Sequence, residues 1–359
     1  SVQCAPPPVV SSGEVFNNRV HNRPTRGWVK RGAAMAKSGY AGAMRMATVG
    51  VTDLDRALTL FRNIMELKVE REGHLSGSLL AAWGLHEGIS GRFAELSCKG
   101  YPLGWLRLVQ YQPHASEKVR LDFGEENADS GTDVGPKALD FYVADPIAPY
   151  VEQIEHAGYK FRSPPVKHQI GTTVSEECLF SGPDGVPVLI MVGHVHAETS
   201  MRSGSPDGPF SEIPTISVVA GDLDETRRFY KDGLGLVAVA DDETGDEYRN
   251  KVDDLTGVPH GTRVHFLLWA DEGEASGKIL CVHFFDRTGK RLTDRMKPGK
   301  LGFSLLTHDT DDLEALHERL SSMGYEIVQP PVDIRGDGDP YRMMMVRGPN
   351  EEMFEFTQR

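Results

Sequence analysis

The chain repeats itself, and this constrains its fold more than any other feature. AGYKFRSPPV (157–166) returns as MGYEIVQPPV (323–332), and SGPDG (181–185) returns as RGPNE (347–351), all at a constant offset of 166 residues. An insertion-free stretch recurring at one distance marks a duplicated structural unit. A second pair is looser: TVGVTDLDRALTLFRNIMELKV (48–69) parallels TISVVAGDLDETRRFYKDGLGLVAV (215–239), and GWLRLVQY (104–111) parallels GKILCVHF (277–284). The chain therefore reads A-B-A′-B′.

The repeats predict an α+β fold. Each module is a strand, a helix and three further strands. Asp53 and Asp222 stand where a side chain accepts the first free N–H groups of a helix. Leu54, Leu58 and Phe61 follow at helical spacing in one copy, and Leu223, Thr226 and Tyr230 in the other. The expected division is an N-terminal arm (1–43), an N-terminal half (44–192, modules 44–113 and 137–192), a linker (193–212) and a C-terminal half (213–359, modules 213–286 and 300–359). The arm is rich in Pro, Gly, Asn and Arg without periodicity, as suits a segment draped over the body or partly disordered. Its start, SVQCAPPPVV, has no initiator Met, which suits a processed terminus or an expression scar.

Bulk properties narrow the function. A net charge of −13 argues against a nucleic-acid or anionic-membrane surface, because both need a basic face. No apolar run approaches the ~20 residues of a membrane span. Cys4, Cys98, Cys178 and Cys281 are scattered, and the last three lie in apolar strand-like runs, so buried thiols in a reducing, cytoplasmic setting are expected. Partners reduce to a small-molecule substrate, with the chain a monomer or homodimer.

The V-x-D-L opening from Val51 to Phe61, its looser copy from Gly221 to Phe229, and the GPD and GPN turns at 182–184 and 348–350 resemble the vicinal oxygen chelate superfamily. That superfamily comprises glyoxalase I, bleomycin-resistance proteins and extradiol dioxygenases. The resemblance implies four βαβββ modules paired into two cup-shaped sheets with helices outside. It also implies a test. Members that use a metal place a His in the first strand of a module and a Glu in the last, converging on Fe, Mn or Zn. Counted from the turns, the first-strand positions are Met46, Ala138, Thr215 and Leu301, and the last-strand positions are Arg107, Leu189, Leu280 and Glu355. Only Glu355 conforms.

Strand alternation suggests other candidates. In TRVHFLLW (262–269), Val264, Phe266 and Leu268 are read as the helix-packing face, which turns Arg263, His265 and Leu267 into the cup. Aligning Gly261 with Gly88 sets His265 opposite Arg92, and His283 lies on the neighbouring strand. The expected catalytic set is Glu355, His265 and His283 in an active C-terminal cup, which would also be the ligands of a displaced metal site. Arg92, Arg107, Thr215, Trp269 and Met344 are the expected substrate-binding residues. The HVH of 194–196 has the look of a metal doublet but sits in a linker without a third ligand, and His308 reads as part of a helix-capping turn.

These residues point to acid/base chemistry of lyase, isomerase, cyclase or hydrolase type on a hydrophobic oxygenated molecule, with no cofactor expected. The alternatives are an extradiol-type dioxygenase with displaced ligands and a non-catalytic binding or resistance protein.

Overall fold

The computed structural model describes residues 39–98, 101–121, 130–170, 173–195, 209–287, 289–336 and 338–359. The arm up to residue 38, Cys4 and His196 therefore lie outside the described residues. Module A contains β1 (Ala41–Gly50), α1 (Leu54–Leu58), β2 (Lys68–His74), α2 (Gly77–Ala82), β3 (Ser90–Ser97) and β4 (Trp105–Gln112). Module B contains β5 (Gly135–Tyr142), α3 (Ala148–His156), β6 (Val166–Ile170), β7 (Thr173–Ser181) and β8 (Pro187–Val195). Module A′ contains β9 (Thr215–Val219), α4 (Leu223–Arg227), β10 (Val237–Glu243), α5 (Asp246–Thr256), β11 (Val264–Ala270) and β12 (Lys278–Phe284). Module B′ contains β13 (Gly302–Thr310), α6 (Leu313–Ser322), β14 (Glu326–Ile334), β15 (Tyr341–Arg347) and β16 (Met353–Gln358).

The Asp-Leu-Asp turns behave as their sequence requires. The Asp53 carboxylate accepts from the Arg56 N–H at 3.0 Å and Asp222 from that of Glu225 at 2.8 Å, each opening its helix. Both helices then widen into a π-helical turn, Thr59–Ile64 and Arg228–Gly233, so even this irregularity is duplicated. Asp312 caps α6 in the same way, through Ala315 at 3.0 Å. The capping role therefore belongs to Asp312. His308, expected in that turn, lies inside β13 with its side chain fully buried.

The modules do not pair in chain order. One eight-stranded sheet runs β14-β15-β16-β13-β1-β4-β3-β2 and the other β10-β11-β12-β9-β5-β8-β7-β6. The first strands meet antiparallel in the middle of each sheet, β1 on β13 and β5 on β9. Cup 1 is thus A with B′ and cup 2 is B with A′. The expected N-terminal and C-terminal halves each contribute one module to both cups. Two glycines let the sheets approach. Gly104 and Gly277 have φ of +66° and +76°, and a Cβ there would lie 2.3 Å from the Ile213 carbonyl oxygen and 2.5 Å from that of Met44. The backbones bond at these places, Ile213 N–H to Gly104 and Met44 N–H to Gly277, both at 2.9 Å.

Each sheet has a helix-side face and a cup face. The helix-side faces share one continuous core that includes Leu106, Leu139, Leu267 and Phe354. The cup faces carry separate clusters. In cup 1, α2 brings Leu79, Leu80 and the following Trp83 against Phe93, Val109, Met343 and Met345. In cup 2, Val252 of α5 and the nearby Val258 lie against Val264, Phe266 and Val282. No helix of the described residues is long and apolar enough to cross a membrane. Cys98, Cys178 and Cys281 are buried free thiols.

Candidate active site

Most of the residues expected to form the site do not meet. His265 and His283 are cross-strand partners in cup 2's sheet, but both project from its helix-side face. His265 Nε2 lies 2.6 Å from Asp241, which also holds Arg227 of α4, and His283 Nδ1 lies 3.0 Å from the Ala220 carbonyl. Alternation was read correctly but one residue out of phase. Val264 and Phe266 face the cup, while Leu267 and Trp269 lie in the shared core. A one-residue choice of phase moves every side chain of a strand to the other face. Trp269 and Met344 are therefore core residues and not cup walls. Arg92, the counterpart of His265, likewise pairs with Asp55 at 2.9 Å. Glu355 belongs to the other sheet, so the expected group Glu355, His265 and His283 is not assembled. Thr215 is buried beside Asp140 in cup 2's sheet, and His194 lies exposed near the end of β8.

Strand register also corrects the metal test. Beside the last-strand positions Arg107, Leu189, Leu280 and Glu355 stand Thr48, Asp140, Ser217 and Thr307. Met46, Ala138 and Thr215 lie two residues early on the same strands, and Leu301 precedes β13 altogether. Each cup therefore offers one carboxylate and hydroxyl groups at these places, with no imidazole. That donor set does not fit a divalent transition metal. In cup 1 a guanidinium also occupies the neighbourhood. Among the described residues no group of three or more His, Cys, Asp or Glu side chains is placed to hold a metal ion.

Cup 1 is closed on itself. Glu355 is fully buried, and it accepts from the Trp83 indole N–H at 2.7 Å and from the Thr307 hydroxyl at 3.0 Å. Arg107 lies 3.6 Å from Glu355 and 3.2 Å from Glu95, which also meets Arg71 at 3.0 Å. Burial opposes the Arg107 charge, but the two carboxylates more than offset it and raise its pKa. The guanidinium also sits over the Trp83 ring, 5.4 Å from its centre. The charges of this network are balanced, with Arg107 Nη1 left without a hydrogen bond and the indole as its plug.

Cup 2 is different, and its polar residues are ones the sequence reading overlooked. A cavity of about 50 Å³ is lined by apolar Leu189, Leu280, Val252, Leu255 and Phe266, together with Lys137, His168, Glu177 and Ser217. His168 is 2 % exposed and its Nε2 lies 2.8 Å from Glu177, which also accepts from the Ser175 hydroxyl at 2.5 Å. Neither ring nitrogen makes a hydrogen bond, so the contact of Nε2 with Glu177 is an ion pair by distance and Nδ1 has no partner at all. Burial works against charge on the imidazole, yet the Glu177 carboxylate prevails and holds its pKa above the ordinary value. Burial likewise opposes the charge on Glu177, and His168 and Ser175 hold its pKa below the usual range. Ser217 donates to Asp140 at 3.2 Å, and burial, reinforced by Glu177, pushes that carboxyl well up. Burial and the cations Arg120 and Arg162 push the pKa of Lys137 well down, and its Nζ lies 5.6 Å from the centre of the Phe284 ring.

A signal for this cluster was present. At the constant offset, His168 aligns with Ile334 and Glu177 with Met343. Titratable residues stand where the sister module buries apolar ones.

Comparison with known proteins agrees with the fold. Residues 212–356 match the family profile of the Glyoxalase/Bleomycin resistance protein/Dioxygenase superfamily. Glyoxalase I from Zea mays superposes with a TM-score of 0.56 at 16% identity, covering 88% of this chain and 92% of that one. A Bacillus subtilis protein assigned as a dioxygenase superposes with a TM-score of 0.57 at 14% identity, covering 89% and 86%. No curated protein matches the chain in sequence. The chain thus has the vicinal oxygen chelate fold, and in its C-terminal segment the likeness extends to the family profile. The matched segment is A′ followed by B′, two modules that serve different cups here.

Proposed function

We propose that the chain is an enzyme that binds a compact, mostly apolar molecule carrying a carbonyl or hydroxyl group in cup 2, and acts on it by proton transfer through His168. The observation that carries this reading is the buried imidazole on the cavity wall, ion-paired with Glu177 through Nε2 at 2.8 Å and without a hydrogen bond at either nitrogen. A buried imidazole beside an apolar pocket, paired with a carboxylate and with ring nitrogens not committed to hydrogen bonds, suits general acid/base work. Lys137 and Ser217 on the same wall are positioned to hold a substrate oxygen. The reaction type is then a lyase or isomerase step in which His168 moves a proton next to that oxygen. The expected roles of His265 and His283 are not retained, and Glu355 is left as the anchor of the Trp83 plug.

The cavity is small, so entry requires α5 to shift. The helix suits this. It begins after Gly245, which offers no side-chain cap, and ends at Gly257 with φ of +75°.

The test is to incubate the protein with a metabolite extract and follow its components by mass spectrometry. A compound should be consumed by the native chain and spared by His168→Gln. Equal conversion by both would overturn the assignment. A compound retained by the native chain but never converted would instead make cup 2 a binding site without chemistry.

A further inference from the structure

The surface holds a second candidate site, in a groove between the helix of module A and the body of module B. It has a volume of about 630 Å³, and its lining includes Arg56, Thr59, Ile64, Tyr159, Lys160 and Arg162. Three cations in one groove stand out on a chain of net charge −13.

The second half of the chain shows the same place with its charges paired internally. There Glu225 stands for Arg56, Arg228 for Thr59, Tyr325 for Tyr159 and Glu326 for Lys160. Arg228 bonds Glu225 at 3.0 Å and the Met323 carbonyl at 2.7 Å, and it sits over the Tyr325 ring at 5.3 Å. Tyr325 donates to Glu225 at 2.8 Å, and Glu326 pairs with Arg347 at 2.9 Å. In the first half both acids have become cations, and the filling arginine has become a threonine. Among the described residues Arg56 and Lys160 have no ion-pair partner. The tyrosine remains, its ring tilted by 60° against Phe180 with centres 5.6 Å apart. Positive charge has replaced the internal counter-ion at the place where this groove lies.

We infer that this groove binds a small organic oxyanion with an apolar body. Arg56 and Lys160 would take the anionic group, and Tyr159 and Ile64 the body. A carboxylate or phosphate suits two cations lining one groove, and a flat ring suits the half-buried tyrosine beside them. Arg162, whose Nη1 donates to the Thr256 carbonyl at 2.9 Å, ties the groove to the end of α5. The site is separate from cup 2 and stands whether or not the reading of that cup holds.

Calorimetric titration with phenyl phosphate, benzoate and inorganic phosphate tests it. Saturable binding of phenyl phosphate or benzoate is expected, and the comparison of the two identifies the preferred oxyanion. Inorganic phosphate should bind more weakly than phenyl phosphate. Arg56→Ala/Lys160→Ala should weaken binding by about tenfold or more, while Lys68→Ala/Lys231→Ala, which removes equal charge elsewhere, should leave it unchanged. All four side chains are exposed, so folding is not at issue. No saturation at millimolar ligand, equal affinity in the Arg56→Ala/Lys160→Ala variant, or equal loss in the control variant would each overturn the site.

Discussion

The two cups have the same strand order and are closed by equivalent helices, yet they place their buried polar groups at complementary positions. Cup 1 carries Glu95, Arg107 and Glu355 where cup 2 carries Leu268, Leu280 and Leu189. Cup 2 carries His168 and Glu177 where cup 1 carries Ile334 and Met343. In cup 1 the charges neutralise one another, and the Trp83 indole takes up a remaining oxygen. In cup 2 neither nitrogen of the ion-paired imidazole makes a hydrogen bond and a cavity lies beside it, whereas in cup 1 Arg107 Nη1 is unbonded but lies in the closed network. Duplication has thus yielded one cup whose polar groups consolidate the fold and one whose polar groups remain available. A conserved-looking carboxylate, Glu355, turned out to mark the closed cup.

The largest effect should come from breaking cup 1's network. Arg107→Leu installs the residue cup 2 has at that place and leaves Glu355 buried without its cation. A loss of about 3–5 kcal/mol in denaturant unfolding is expected, the usual result of removing one partner from a buried pair. Arg107→Leu/Glu355→Leu, which copies cup 2 at both positions, should recover more than half of that loss, with Glu95 still held by Arg71. If the single substitution costs less than about 1 kcal/mol, the network is not what consolidates cup 1.

A smaller difference between the cups depends on pH. His308 of β13 has Phe141 as its counterpart in β5. Its Nδ1 lies 2.8 Å from the Gly42 carbonyl, and burial among Phe354 and Phe356 lowers its pKa to about 4. Because the folded value is depressed, the unfolded chain binds the proton first as pH falls. The stabilisation from the neutral folded form is complete above about pH 6.5 and is lost between there and about pH 4, amounting to about 3 kcal/mol. His308→Phe should flatten this acid limb when unfolding free energies are compared across that range. An unchanged slope would show that other groups control it.

How much of this was legible in the sequence follows from what each signal measures. The repeat offset and the capped helices give module number and order, because helix starts and turns are local chemistry. Module pairing was not legible, since nothing in a strand's own residues says which distant first strand it meets. The candidate site failed for a related reason. His265 and His283 were found by residue type and placed by alternation, but the phase of β11 is set by α4 and β10, which are remote from TRVHFLLW. The metal positions slipped, by two residues in three modules and by six in the fourth, because a count from the turn does not carry the register between first and last strands. Lys137, His168 and Glu177 were legible by comparing the modules with one another, which requires no knowledge of the fold.

The smallest expected change in stability is the most useful for function. His168→Ile/Glu177→Met gives cup 2 the residues that cup 1 has at the same places, and both are apolar side chains of suitable bulk. Exchanging a whole buried ion pair for packed apolar residues is often neutral, so unfolding should change by no more than about 1 kcal/mol. His168→Ile alone strands the Glu177 carboxylate and should cost about 3 kcal/mol. Turnover of any cup 2 substrate should vanish in the double variant while its fold and the Arg56 groove persist. A double variant that loses as much stability as the single one would show that the pair serves the fold. Cup 2 would then be a second consolidated cup like the first, and the unpartnered nitrogen of His168 would no longer distinguish them.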